Sequence, residues 1–277
     1  MATTQLTTIN SAPASRLGLA GHYDAPEACV AAAADAGVNF FFFYNFKFTA
    51  VIAGLRPLLA ERREEMIVAT GSECRDVTEV RTYFDDIRRQ LDIDTIDILF
   101  VEYVAPKDDL TALLGRGGVL SELVAWRDRG EIRYVGVSAH DRDICLELMK
   151  TGAVDVLMHR YNMAHRRSEE RVLPAAVDAG IPVVAFTCTR WGTLMRGHQK
   201  WPRARPLPSA ADCYSFALSH PAVQVALAAP ATMVQLQSNL EVLQTSLPMD
   251  PDELAQWRAY GNLVYGEGLD DFEIRWP

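Results

Sequence analysis

Eight short apolar runs, separated by longer amphipathic stretches, recur along the whole 277-residue chain. In order they are SRLGLAG, VNFFFFY, MIVAT, IDILFVEYV, YVGVSAH, VDVLMHRYN, PVVAFTC and VQVALAAP. Most lack polar alternation, as expected of parallel strands covered on both faces by helices. Between them lie helical patterns such as APEACVAAAADAG, VTEVRTYFDDIRRQLDI, DRDICLELMKTG, SEERVLPAAVDAG and TMVQLQSNLEVLQTSL. Asp24 is placed to cap the first of these, and Gly37, Gly152 and Gly180 to stop three of them. Eight βα units close most naturally into a (β/α)8 TIM barrel, which commonly takes about 250 residues as one domain. Residues 1–277 read as a single barrel domain, and the GHQKWPRARPLPSAAD stretch as an extended loop at its active end.

Bulk properties exclude several classes. The net charge of −9 and a pI near 5.2 leave no basic face for nucleic acid. No run approaches the ~18 apolar residues of a membrane span, and the N-terminus lacks the pattern of a signal peptide, so a cytoplasmic protein is expected. The five cysteines are scattered and odd in number, which indicates neither a disulfide framework nor a zinc site.

The phrases RLGLAG, DAGVNFF, LDIDTIDILFVE, GEIRYVGVSAHD, VDVLMHRYN, GIPVVAF and ALSHPAVQVAL follow one another in an order and spacing that resembles the aldo-keto reductase superfamily. The resemblance implies carbonyl reduction with NADPH and an Asp, Tyr, Lys and His at the strand ends. Matched residue by residue, Phe42 stands where the aspartate belongs, Lys47 at the tyrosine, Gly71 at the lysine and Glu102 at the histidine. Of the residues that hold nicotinamide in the family, Ser138 remains, while Ala139 and Met158 replace the other two. Phe186 supplies the stacking aromatic, and Asn239 matches an adenine contact. No cation lies in AAPATMVQLQSN to meet a 2′-phosphate, although Arg190 and Lys200 are in loops within reach of one. On this basis no cofactor is expected, with an altered NADP(H) site as the alternative.

The polar groups left at the strand ends suggest other chemistry. His140 and Glu102 are candidate proton movers, histidine because it titrates near neutrality and Glu102 because an apolar barrel mouth disfavours its charge. Tyr44 is a candidate relocated acid. Lys47 is a candidate nucleophile or an ion-pair partner for Glu102. Arg142, Arg160 and Arg190 suit an anionic small molecule, with Asn162, His165 and Trp191 beside them. No metal site is indicated. These residues point to non-redox acid–base chemistry of the isomerase, lyase or cyclase type on a small polar metabolite. An NADP(H)-dependent oxidoreductase with a moved proton donor, or an inactive ligand-binding module, are the alternatives.

Overall fold

The computed structural model describes residues 5–265. All eight apolar runs form strands, and these pair in parallel in the order β1 to β8, with β8 closing back on β1. The first half comprises β1 (Leu17–Ala20), α1 (Ala28–Asp35), β2 (Phe40–Phe43), α2 (Thr49–Arg62), β3 (Ile67–Ser72), α3 (Val77–Leu91) and β4 (Ile96–Val104). Two helices, α4 (Leu110–Leu114) and α5 (Val119–Asp128), lead to β5 (Ile132–Ala139) and α6 (Arg142–Lys150). Next come β6 (Val156–Arg160), α7 (Val172–Ala179), β7 (Val183–Phe186), α8 (Ala210–Leu218), β8 (Val223–Ala228) and α9 (Met233–Leu240). The described chain ends with α10 (Pro251–Tyr265).

The four phenylalanines of β2 show how the barrel is filled. Phe40 and Phe42 join Ile67, Ile98, Phe100, Met158 and Val225 in the interior cluster, whereas Phe41 and Phe43 pack into the layer beneath the helices. A strand places successive side chains on opposite faces, so one apolar run serves both. Glycines make room for the large rings. A Cβ on Gly18 would lie 2.8 Å from Phe40, and one on Gly136 would collide with the ring of Phe100. Leu6, fully buried in the same cluster, closes the barrel floor.

Capping follows the local chemistry in most places. The Asp141 carboxylate accepts from the Asp143 and Ile144 N–H groups at the start of α6, and Ser209 forms a reciprocal box with Asp212 at α8. Gly37, Gly152 and Gly180 all take positive φ, as expected of helix stops. Asp24 does not cap α1. The helix begins later, behind Glu27, and the Asp24 N–H donates to His22 Nδ1 at 3.1 Å. The 197–208 loop is also not part of either large cavity. Trp201 packs 5.0 Å from the Tyr260 ring of α10 and donates to the Pro206 carbonyl, which pins the loop to the outer helices.

Candidate active site

Two cavities open at the C-terminal ends of the strands. The larger, about 620 Å³, is a groove running from β2 across Glu102, Ser138 and Phe186 to Asn239 on α9. That size falls in the usual range for small-molecule and cofactor sites. A bulge in β4 shapes its centre. The β4–β5 register slips between Val101 and Val104, and Tyr103 has a φ of 51°. Glu102 and Tyr103 consequently both line the groove, which an unbroken strand would not allow.

Glu102 is the chemical focus of the groove. Only 4% exposed, it hydrogen-bonds to Ser138, and its Oε1 has no hydrogen-bond partner. Burial pushes its pKa up to about 8, with Ser138 and Arg75 opposing the shift and Glu73 reinforcing it. Its carboxyl occupies space vacated by β3, since a Cβ at Gly71 would collide with Glu102 Oε1 and Cγ. The two departures from the family pattern, Gly71 and Glu102, therefore form one structural unit.

Aromatic rings make up much of the remaining wall at this end. Tyr23 stacks on Phe48 at 4.7 Å, Tyr44 meets Phe48 edge-on at 4.9 Å, and Phe42 lies 6.1 Å from Tyr44. Burial raises Tyr44 to about 12, with Tyr23, Tyr103 and Glu102 adding to the effect. Burial raises Tyr103 as well. Both phenols line the groove, but among the described residues no lysine or arginine lines it to lower either one, so the surroundings do not favour Tyr44 as the relocated proton donor. Lys47 is exposed and lines neither cavity, so it is not positioned as a nucleophile or as a partner for Glu102.

The second cavity, about 460 Å³, gathers His140, Arg142, Arg160 and His165 with Arg166, Arg167 and Tyr265. His140 is the partition between the two spaces. It lines the second cavity, while its ring lies 5.3 Å from Tyr103 and 5.2 Å from Phe186 in the groove wall. Burial, with Arg160 and His159, lowers its pKa to about 3, and burial with Arg160 and Arg190 does the same to His165. Both rings are held in the neutral form near pH 7, so neither is the imidazolium that would act as a strong acid. Asn162 is a loop tie, its amide donating to the Thr187 carbonyl and its oxygen accepting from the Ala164 and His165 N–H groups. Arg190 is buried and donates to the Val264 carbonyl at 3.1 Å. The expected arginine clamp does not form in the groove. Arg142 and Arg160 line the other cavity, Arg190 lines neither, and of that group only Trp191 borders the groove.

Ser138, Phe186 and Asn239 all line the groove, at its middle and at its α9 end. Groove residues missed in the sequence include Tyr23, Phe48, Tyr214 and Gln235. They sit in connections and helices, where strand-end reasoning does not look. Three residues of the β7–α8 loop, Thr187, Arg190 and Trp191, have φ between 50° and 53°, and this strained turn carries the groove's far wall.

The model of the aldo/keto reductase family matches residues 22–208. A curated relative, the NADH-specific methylglyoxal reductase of Escherichia coli strain K12, is 28% identical over 171 residues, covering 54% of this chain. That match spans about half the relative's length, 51%. An aldo-keto reductase from Bacillus halodurans in its holo form superposes with a TM-score of 0.76 at 17% identity, over 93% of this chain and 96% of the other. One from Klebsiella pneumoniae in complex with NADP and acetate gives 0.75 at 17%, over 94% and 96%. At these identities the structural likeness concerns the fold. The comparisons overturn the expectation that the chain dispenses with a cofactor, because relatives are named for or bound to nicotinamide nucleotides. They give no support to isomerase, lyase or cyclase chemistry.

Proposed function

The chain belongs to the aldo/keto reductase family, and from that premise we propose that it uses NADH to reduce a polarised C=O or C=N bond in a small uncharged molecule, with Glu102 as the acid. The observation that carries this reading is Glu102 itself, a buried carboxyl with an orphaned Oε1, in a groove whose other residues suit a dinucleotide. Such unsatisfied buried oxygens are rare in folded proteins and call for an explanation, here a bound partner.

The residues present fit the cofactor. The half-buried ring of Phe186 offers a flat face to a nicotinamide, Ser138 lies beside it, and Asn239 with Gln235 and Ser238 suits the adenosine end. Bound NADH supplies a hydride. Among the described residues no lysine or arginine lines this groove, so a 2′-phosphate would find no cation. The absence favours NADH over NADPH, in keeping with the name of the Escherichia coli relative. Arg190 and Lys200, expected within reach of a phosphate, are outside the groove.

The proton is the chain's own contribution. With a pKa near 8, Glu102 is a neutral carboxylic acid at pH 7, and its O–H is available to the atom that gains electron density. A catalytic acid works best with a pKa close to the working pH, which the raised tyrosines and the lowered histidines lack. Glu102 itself is only 4% exposed, so the hydrogen bond forms in a low-dielectric setting.

Calorimetric titration of the purified protein with NADH and NADPH tests the proposal. NADH is expected to bind in the micromolar range and NADPH at least about tenfold more weakly, the scale of one lost charged contact. Absence of NADH binding up to millimolar concentration would refute it.

A further inference from the structure

We propose that the bond reduced in this groove is C=N: the substrate is a small imine, held as an iminium–carboxylate pair with Glu102 and released as an amine. This rests on the hydride-transfer reading above and specifies its substrate class.

Charge is the first ground. Reduction of a carbonyl builds negative charge on oxygen, and sites that do this well surround the oxygen with cations or several donors. Here β3 contributes Gly71 rather than a cation, and the space is filled by the carboxyl of Glu102 itself. Arg75 is turned outward. It pairs with Asp108 at 3.1 Å and donates to the main-chain carbonyls of Glu102 and Tyr103 at 2.9 and 3.2 Å. Glu73 adds further negative potential at Glu102. Such surroundings oppose an alkoxide and favour a cation.

Aromatic rings are the second ground. Tyr44, Tyr103 and Phe42 line the groove around Glu102, backed by Phe48 and Tyr23. Faces of such rings attract organic cations, by about 0.5–1 kcal/mol at exposed sites and about 2 or more where water is excluded. A carboxyl beside several rings is the composition expected for an ammonium or iminium group. A 2-oxo acid would meet no cation here.

The step balances. The Glu102 O–H breaks as the imine N–H forms, since an imine nitrogen is basic enough to take the proton outright. Carbon then accepts a hydride from NADH, and the C=N π pair becomes the nitrogen lone pair. NADH is oxidised by two electrons to NAD⁺ as the imine becomes an amine. Water at the groove mouth re-protonates the Glu102 carboxylate.

Cation capture can be read without turnover. Cofactor-free protein is titrated at pH 7 with N-methylbenzylammonium chloride and, separately, with benzyl methyl ether, its uncharged analogue, in two buffers of different ionisation enthalpy. The groups facing Glu102 are Ser138 from β5, Glu73 and Arg75 after β3, Tyr44 after β2, Tyr103 on β4 and Tyr83 from α3. Binding to the wild type is expected to release close to one proton more than binding to Glu102→Gln, which isolates the contribution of Glu102. The ammonium should bind at least tenfold more tightly than the ether, and Glu102→Gln should abolish both the preference and this extra proton release. That variant replaces an already neutral group, and a thermal melt verifies that it folds. Equal binding of the two probes, or unchanged preference in Glu102→Gln, overturns the proposal while leaving NADH binding untouched. Ammonium binding by a protein that does not bind NADH overturns both readings. With NADH bound, 1-pyrroline should be reduced with at least tenfold higher kcat/KM than cyclopentanone; the reverse order also overturns the C=N assignment.

Discussion

The groove around Glu102 and the cavity around Arg142 share a wall at His140, yet they are chemical opposites. One is lined by aromatic rings and a single buried acid, with no lysine or arginine among the described residues. The other gathers arginines and histidines. A search for polar residues at strand ends leads to the second. Much of its polarity is structural: Arg166 donates to the Met163 carbonyl, and Glu169 joins Arg258 at 2.7 Å and Tyr161 at 2.6 Å. The lesson concerns cost. A polar group surrounded by partners holds a loop in place, while a buried polar atom without one calls for an explanation, and each cavity holds such an atom, Glu102 Oε1 in the groove and Arg142 Nη1 in the other.

The largest expected effect separates the two regions directly. Glu102→Gln should lower kcat by about 10² to 10⁴, the usual contribution of a general acid, in a steady-state assay of NADH oxidation. The wild-type rate should be flat below pH 8 and fall as pH rises through about 8, because only the protonated acid donates. A rate that falls instead between pH 6 and 7 would shift attention from the groove to histidine.

Stability carries the same signature with its own sign. The Glu102 pKa in the folded protein lies near 8, above that of an exposed glutamate, so the folded state retains a proton that the unfolded chain releases. Stability on this account is highest below the unfolded pKa of about 4.3, and it is lost as pH rises from there through the folded pKa. Denaturant melts should show a decline of a few kcal/mol across that window, roughly 1.4 kcal/mol for each pH unit that separates the folded and unfolded pKa values. Glu102→Gln should reduce it.

Gly71 provides a smaller and more local test. Gly71→Ala forces a methyl group against the Glu102 carboxyl, and overpacking of this kind costs about 1–3 kcal/mol. Glu102→Ala opens the space, so in the double variant the alanine at position 71 should cost much less, a coupling that a double-mutant cycle measures. Additive losses would mean that the two positions are not one unit.

The barrel was legible because its signal is distributed. Eight apolar runs and three glycine stops agree with one another, and no single residue decides the outcome. Ser138, Phe186 and Asn239 were expected together only through the resemblance to aldo-keto reductases, and all three line the groove. Glu102 could be singled out as an acid in an apolar setting, a matter of residue type and position. The direction of neighbouring side chains was not legible. Tyr103 enters the groove only through a bulge, and Arg190 is aimed at the Val264 carbonyl by a left-handed backbone at its own Cα. Neither event leaves a mark in periodicity. His140 stands one residue past a strand end, as its place in the sequence suggests, but the direction of its ring was not legible: packing against Tyr103 and Phe186 decides it.

The cation-free α9 end of the groove can be changed by adding a charge. Ala231 is half-buried in the loop before α9, with its N–H donating to Gln235 Oε1 at 2.7 Å. Ala231→Arg should tighten NADPH binding by about tenfold and leave NADH within about twofold, since one charge-assisted contact is worth about 1.5 kcal/mol. An equal gain for both nucleotides would place the new charge near the diphosphate instead.

The smallest effect bears most directly on whether the two cavities act separately. Arg142 begins α6 and lines the arginine-rich cavity, and its Nη1 is buried with no hydrogen-bond partner. Arg142→Ala removes that charge while the Asp141 cap of α6 remains, accepting from the Asp143 and Ile144 main-chain N–H groups. If the groove is independent, NADH affinity and kcat/KM for an uncharged substrate should stay within about twofold, the range of a remote substitution. Glyoxylate makes the comparison sharper. Were it reduced by the wild type and lost in Arg142→Ala, the arginines would be reaching the reacting centre past His140, and the two regions would have to be treated as one site.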